Sequence, residues 1–245
     1  MNSKKALPLI LILLCVTLPV LAQEKSYDFG LYLGGVNYYG EVGKKKAIAP
    51  NRAFFGLIGK MNFNEKLSAR ATLTYMTLYA DDRNAGDEYR ANGRGQSLFY
   101  SFENSHIELT AGIEYTPFSF FKNSRNPIDF YVFGGIGAAY GDELYYPVSA
   151  GFEDVAAEKY GTSTRLVVPF GAGLKTFVGS KFMLGLELAP RYTTSDNFDG
   201  SHPDEPRLEP NQLPNFANND WYTYIGITLT YRIGKGSDAY CDCTL

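Results

Sequence analysis

Histidine, tryptophan and cysteine are nearly missing from this chain: 245 residues hold two, one and three of them. The two histidines, His106 and His202, are far apart, and Cys241-x-Cys243 is by itself too short for a four-ligand metal site. No metal and no cofactor is expected. An excess of one charge is missing as well. The net charge of −3, from 23 Lys and Arg against 26 Asp and Glu, gives no field for nucleic acid or a strongly acidic partner. Long apolar runs are absent beyond residue 22, so no later segment has the ~20 apolar residues of a membrane helix. Tyrosine (19), phenylalanine (17) and glycine (25) are what the chain has in quantity. Slightly negative mean hydropathy beside so many aromatics is the profile of a transmembrane barrel, whose strands turn only alternate residues to lipid.

The N-terminus reads as an export signal. Lys4 and Lys5 form a basic start, Ala6 to Val20 an apolar run, and Val20-Leu21-Ala22 a cleavage site before Gln23. The run is too short for a membrane span, and Cys15 lies inside it after Leu14, a poor context for lipidation. Three segments are expected: signal peptide 1–22, barrel 23–233 and a periplasmic tail 234–245.

From Tyr27 onward, alternation dominates, the mark of strands with one apolar face. Phe55, Leu57, Gly59, Met61 and Phe63 oppose Phe54, Gly56, Ile58, Lys60 and Asn62. Leu67, Ala69, Ala71, Leu73 and Tyr75 follow after only Asn64-Glu65-Lys66, which predicts a hairpin. Similar segments cover 27–34, 106–115, 128–138, 165–175, 182–191 and 222–232, making eight. None of the eight apolar faces carries a charge. The partition predicts an all-β fold, an eight-stranded antiparallel transmembrane β-barrel of outer-membrane type, with the apolar face in lipid. A Lys or Arg on that face at the midplane would cost roughly 2–4 kcal/mol. Tight connections (64–66, 179–180) alternate with long polar ones (40–51, 80–104, 142–164, 195–219), matching short periplasmic turns and large outer loops. Tyr27, Phe63, Tyr115, Phe130, Phe182 and Tyr231 would form one aromatic rim, and Tyr75, Tyr140, Tyr192 and Trp221 the other. Pro169 and Pro190, inside predicted strands, call for a bulge or a strand end at each.

Eight strands leave a lumen just wide enough for side chains. Asp28, Lys60, Arg70, Glu108, Glu114, Asp129, Lys175, Glu187, Arg191 and Arg232 point inward, as do Arg52 and Arg165. Mixed signs in that space should pair into a plugging network; a conducting pore is the rival reading. No catalytic site is expected, because Ser105 and His106 are adjacent on one strand and face opposite ways. Asp196, Asp199, Asp204, Glu205 and Glu209 read as solvated loop acid, with calcium as the alternative. Cys241 and Cys243 would lie in an oxidising space, where a bond between them closes a strained ring. They are either candidates for an intermolecular crosslink to a periplasmic partner or incidental residues of a frayed tail.

Several strand sequences resemble the PorG-like outer-membrane proteins of Bacteroidota. The similar segments are Gly34-Gly-Val-Asn-Tyr-Tyr-Gly-Glu41, Tyr131-Val-Phe-Gly-Gly-Ile-Gly137, Pro169-Phe-Gly-Ala-Gly-Leu-Lys175, Leu184-Gly-Leu-Glu-Leu188, Arg191-Tyr-Thr-Thr-Ser-Asp196, Asn219-Asp-Trp-Tyr222 and Gly226-Ile-Thr-Leu-Thr-Tyr231. The likeness spans nearly all of the predicted mature chain. It departs at Asn197-Phe-Asp-Gly-Ser201, where a longer acidic and hydrophobic stretch belongs. The resemblance implies a non-enzymatic part in type IX protein secretion and gliding, anchoring a periplasmic lipoprotein ring to the outer membrane. Outer-membrane lipid and that lipoprotein would be the partners, with both termini periplasmic and no nucleic acid or small-molecule substrate. The alternatives are a stand-alone surface barrel (adhesin or membrane-stabilising) and a small-solute pore.

Overall fold

A computed structural model describes residues 25–44, 46, 48–121, 127–147, 154–213 and 219–234. The predicted signal segment 1–22 and both tail cysteines, Cys241 and Cys243, fall outside those residues.

Among the described residues nine strands follow one another: β1 (Ser26–Tyr39), β2 (Arg52–Asn62), β3 (Leu67–Asp81), β4 (Phe99–Phe120), β5 (Ile128–Tyr145), β6 (Asp154–Ala156), β7 (Glu158–Val178), β8 (Phe182–Thr193) and β9 (Trp221–Ile233). The lateral order β3-β2-β1-β9-β8-β7-β5-β4 closes through a β3–β4 ladder into a ring of eight. Every ladder of the ring is antiparallel. The ninth strand, β6, lies outside the ring and pairs in parallel with the start of β4 at Phe99–Ser101. Closure leaves no sheet edge within the wall, so the backbone is satisfied strand to strand without water.

The faces sort as the alternation requires. Leu31, Leu57, Leu73 and Leu109 sit side by side on β1 to β4, and Leu229 and Leu184 continue the row on β9 and β8. All six are exposed; no apolar core of the chain covers them. Their inward neighbours Tyr32, Ile58, Thr72, Glu108, Thr110, Met183 and Thr228 are buried. A soluble sandwich would have the opposite sense. This is a transmembrane barrel.

Aromatic rings mark both ends of the belt. Phe118 stacks on Phe130 at 5.1 Å and Phe182 meets Tyr231 at 5.3 Å on the end with the short turns. Trp221 meets Tyr192 at 5.0 Å and Phe170 at 6.0 Å nearer the end with the long loops.

The prolines behave differently from expectation. Pro169 and Pro190 produce neither a strand end nor a change of register: β7 and β8 skip from Pro169–Arg191 to Ala172–Leu188 on the same alignment. Each lost N–H opens the ladder locally, while the flanking pairs and the neighbouring strands hold the stagger. Register shifts lie instead beside Pro117, between Tyr115 and Phe118 on the β4–β5 ladder, and between Glu143 and Leu144 on the β5–β7 ladder.

Gly226 shows how tightly the lumen is filled. A Cβ there would lie 2.5 Å from Tyr32 Cε2 and 2.7 Å from the Phe54 ring. Gly226→Leu is therefore expected to lose roughly 1–3 kcal/mol by overpacking. Gly59→Ala, whose Cβ meets only Phe29 at 3.5 Å, should be nearly neutral. The temperature at which the folded band disappears in unheated-versus-heated electrophoresis reads both, and equal midpoints would refute the packing argument.

Candidate functional site: the sealed lumen and its cap

Because the outer wall faces lipid, any chemistry of this chain is confined to the lumen and the two ends. In the lumen, glycines opposite the long side chains make room for them. Glu187 on β8 sits between Gly173 on β7 and Gly226 on β9, and Arg70 on β3 faces Gly112 on β4. Glu114 is the hub. It accepts hydrogen bonds from Lys60 Nζ and Lys175 Nζ, both at 2.7 Å, and from Arg70 at 3.4 Å. Arg70 also donates to Glu187 at 3.0 Å, and the Tyr131 hydroxyl donates to the other Glu187 oxygen at 2.7 Å. The Tyr131 ring has two ammonium groups near it, Lys60 and Lys175 both 5.1 Å from its centroid.

A second layer lies toward the long loops. Arg191 donates to Glu108 at 3.4 Å, and the Tyr222 hydroxyl donates to the other Glu108 oxygen. Arg191 also covers the Tyr224 ring at 4.1 Å, and Tyr224 stacks on Phe54. A void of about 10 Å³ between Arg70, Phe133 and Arg191 has room for about one water. Arg232 and Asp28 form a two-pronged pair, 2.7 and 2.9 Å, at the turn end. Three expected members do not join. Asp129, half-buried at the turn end, has no ion-pair partner among the described residues. Arg52 lies at the loop end and pairs outside the lumen with Glu103 at 2.6 Å. Arg165 points inward over the Phe198 ring at 4.9 Å and donates to the Asp142 carbonyl, but forms no ion pair among the described residues.

Ser105 and His106 stand on opposite sides of the wall. Ser105 is exposed beside Thr77, whereas His106 is buried against Phe198. No nucleophile–base pair forms there.

The loop end folds into a cap that the alternation did not reveal. Arg94 holds Asp82 at 2.7 Å and donates to the Glu41 carbonyl; Arg90 donates to the carbonyls of Gly43 and Gly40. Beneath it, Asn197-Phe-Asp-Gly-Ser201 is wholly buried, which corrects the reading of Asp199 as solvated acid. Asp199, Asp220 and Glu41 converge, one carboxylate oxygen from each lying within 4.8 Å of the others. Burial first, and then Asp199 and Asp196, push the Glu41 carboxyl up to about 7. Burial and Asp199 raise Asp220 well above the usual carboxylate range, and burial raises Asp199. Glu41 and Asp220 carry no motif that sequence reading could have found. They stand in separate loops and meet only when β1 pairs with β9.

Among the described residues no helix is long and apolar enough to cross a membrane. The chain is similar in fold to several solved outer-membrane barrels. Ail, the attachment invasion locus protein of Yersinia pestis, is 13% identical over 86% of this chain and 98% of its own, with a TM-score of 0.37. The N-terminal β-barrel domain of Pseudomonas aeruginosa OprF is 11% identical over 86% and 100%, with a TM-score of 0.41. A major outer membrane protein from Thermus thermophilus is 12% identical over 86% and 100%, with a TM-score of 0.43. At such values the assignment of the barrel rests on its own ladders and faces. No curated protein matches the chain. A family model described as "Domain of unknown function (DUF6089)" matches residues 4–243.

Proposed function

The chain belongs to the DUF6089 family, and we propose that it serves as a non-enzymatic outer-membrane anchor in a type IX secretion machine, organising a periplasmic lipoprotein ring. One observation carries the reading: the lumen is filled by Glu114, Glu187 and Glu108, each already ion-paired with Lys60, Arg70, Lys175 or Arg191. Among the described residues a lumen so filled leaves no room for a solute path, which leaves the ends for work. The resemblance to PorG-like proteins selects which work. In this reading the chain is exported by cleavage after Ala22, and residues 23–233 form the barrel. The short turns, both termini and the tail 234–245 then face the periplasm. The tail and turns make the contact, and Cys241 or Cys243 crosslinks to the partner.

A second reading has its own observation. β4, β5 and β7 are 22, 18 and 21 residues long and run on past the leucine row into the folded cap. A stand-alone surface barrel, adhesin or membrane-stabilising, would act through that end.

Deletion of the gene separates the two. Loss of bulk protein secretion, restored by the wild-type gene, is expected of the anchor; secretion intact with adhesion alone lost would transfer the assignment to the surface barrel. On non-reducing gels of native membranes, a high-mass species should vanish in Cys241→Ser or Cys243→Ser. A species unchanged in both would refute the crosslink.

A further inference from the structure

The cap gathers three carboxylates and, among the described residues, no ion pair to any of them. Asp199 and Asp220 are 0% exposed. Asp220 accepts from the Tyr38 hydroxyl and from the Phe198 N–H at 2.8 Å; Asp199 Oδ1 accepts from the Ser201 N–H at 2.8 Å. Asp199 Oδ2 and Glu41 Oε2 are buried with no donor at all, and so is Asn197 Oδ1 in the same segment. With the carboxyls ionised, all three are oxygens that can only accept. Two of the nearby guanidinium groups are engaged elsewhere, Arg94 with Asp82 and the Glu41 backbone carbonyl and Arg90 with the carbonyls of Gly40 and Gly43; the third, Arg165, lies over the Phe198 ring close enough to feel the Asp220 charge but forms no ion pair with it. Among the described residues no Lys or Arg forms an ion pair with Glu41, Asp199 or Asp220. Ionised together without a cation, the three would be among the costliest arrangements a fold can hold, so without one they hold protons instead.

We propose that Glu41, Asp199 and Asp220 bind a calcium ion that ties the β1–β2 connection to the β8–β9 connection across the barrel mouth. The donor set is oxygen alone, which selects a hard cation over zinc or copper. Calcium fits better than magnesium because magnesium keeps several of its waters, and two of the three carboxylates are fully enclosed. The backbone is shaped for the approach: a Cβ on Gly40 would lie 2.6 Å from Asp220 Oδ1, so only glycine lets the chain bring Glu41 this close. The ion would supply the positive charge that the orphaned oxygens lack. This inference does not depend on the secretion reading, since it concerns how the loop end is held and not what the turn end binds.

The test uses the full mature chain, refolded in detergent micelles and stripped with a chelator. Calorimetric titration with CaCl₂ should show one saturable site, weakened at least ~tenfold in Asp199→Asn and Asp220→Asn, as expected when a charged ligand is lost. Asp204→Asn, an exposed acid of the same loop, should bind as wild type. Terbium in place of calcium should luminesce on excitation of Trp221, the single tryptophan and the neighbour of Asp220, and calcium should quench it by displacement. A merely structural role would change none of these signals. If an aspartate variant fails to fold, wild type still decides: calcium should slow proteolysis between 194 and 220 at least ~tenfold relative to chelator, through linkage of binding to the closed state. No saturable calcium binding up to about 10 mM, the weak end of extracellular calcium modules being near 1 mM, would overturn the proposal. Unchanged binding in Asp199→Asn, equal proteolysis with and without calcium, or binding of magnesium alone would do the same.

Discussion

Glu114→Ala is expected to lower the stability of the folded barrel by ~3–5 kcal/mol, the cost of leaving buried charges without their partner. Glu114 is 1% exposed and is the shared acceptor of Lys60, Lys175 and Arg70. Its loss leaves three cations around one remaining carboxylate, Glu187, in a space with almost no water. Arg70 keeps Glu187, but the ammonium groups of Lys60 and Lys175 keep only the ring of Tyr131. Lys175→Met removes one cation in place of the hub and fills its volume with apolar atoms, so about 1 kcal/mol or less is expected. The double variant should recover part of the Glu114→Ala loss, because one stranded charge has gone; such coupling is the signature of groups in direct contact. Urea titration of the barrel in lipid vesicles measures all three. If Glu114→Ala and Lys175→Met cost the same, the charges are not acting as one network.

The limits of sequence reading follow from the same physics. Strand phase was legible, because a charge on the lipid face is so costly that outward positions stay apolar throughout the belt. On β4 this leaves Ile107, Leu109 and Ile113 outward, with Glu108 and Glu114 inward. Strand length was not legible. The alternation suggests 106–115 for the fourth strand, yet β4 runs Phe99–Phe120. Beyond the belt, hydrogen bonding continues but the outward positions no longer need to be apolar. Glu103 is outward and pairs with Arg52; Asp142 pairs with Lys159 across the β5–β7 extension. Apolar alternation therefore measures the membrane, and the ladder goes further. Strand phase puts Lys60, Arg70, Glu108, Glu114, Lys175, Glu187 and Arg191 inward, but it does not show that Asp129 and Arg52 stay out of the network, and who pairs with whom depends on strand tilt, which brings Glu187 of β8 against Arg70 of β3. The cap acids were hidden for another reason. Glu41, Asp199 and Asp220 are ordinary loop residues in sequence, and only the β1–β9 closure makes them neighbours.

Leu109→Arg is expected to destabilise the barrel in bilayers by roughly 2–4 kcal/mol, whereas Tyr75→Arg should cost about 0–1 kcal/mol, because the penalty falls from the midplane to the interface. Leu109 belongs to the lateral row Leu184, Leu229, Leu31, Leu57, Leu73 and Leu109, with aromatic rims on either side of it. Tyr75 lies two residues along β3 from Leu73 and against Phe55 at 5.3 Å, nearer the loop end. Both side chains are exposed, 59% and 40%, so neither substitution creates a cavity and the contrast reports depth alone. Refolding into vesicles of uniform chain length, followed by chemical denaturation, gives the two free energies. A depth-independent result would mean that the leucine row does not lie in hydrocarbon, and the inward charges would then have to be explained without a membrane around them.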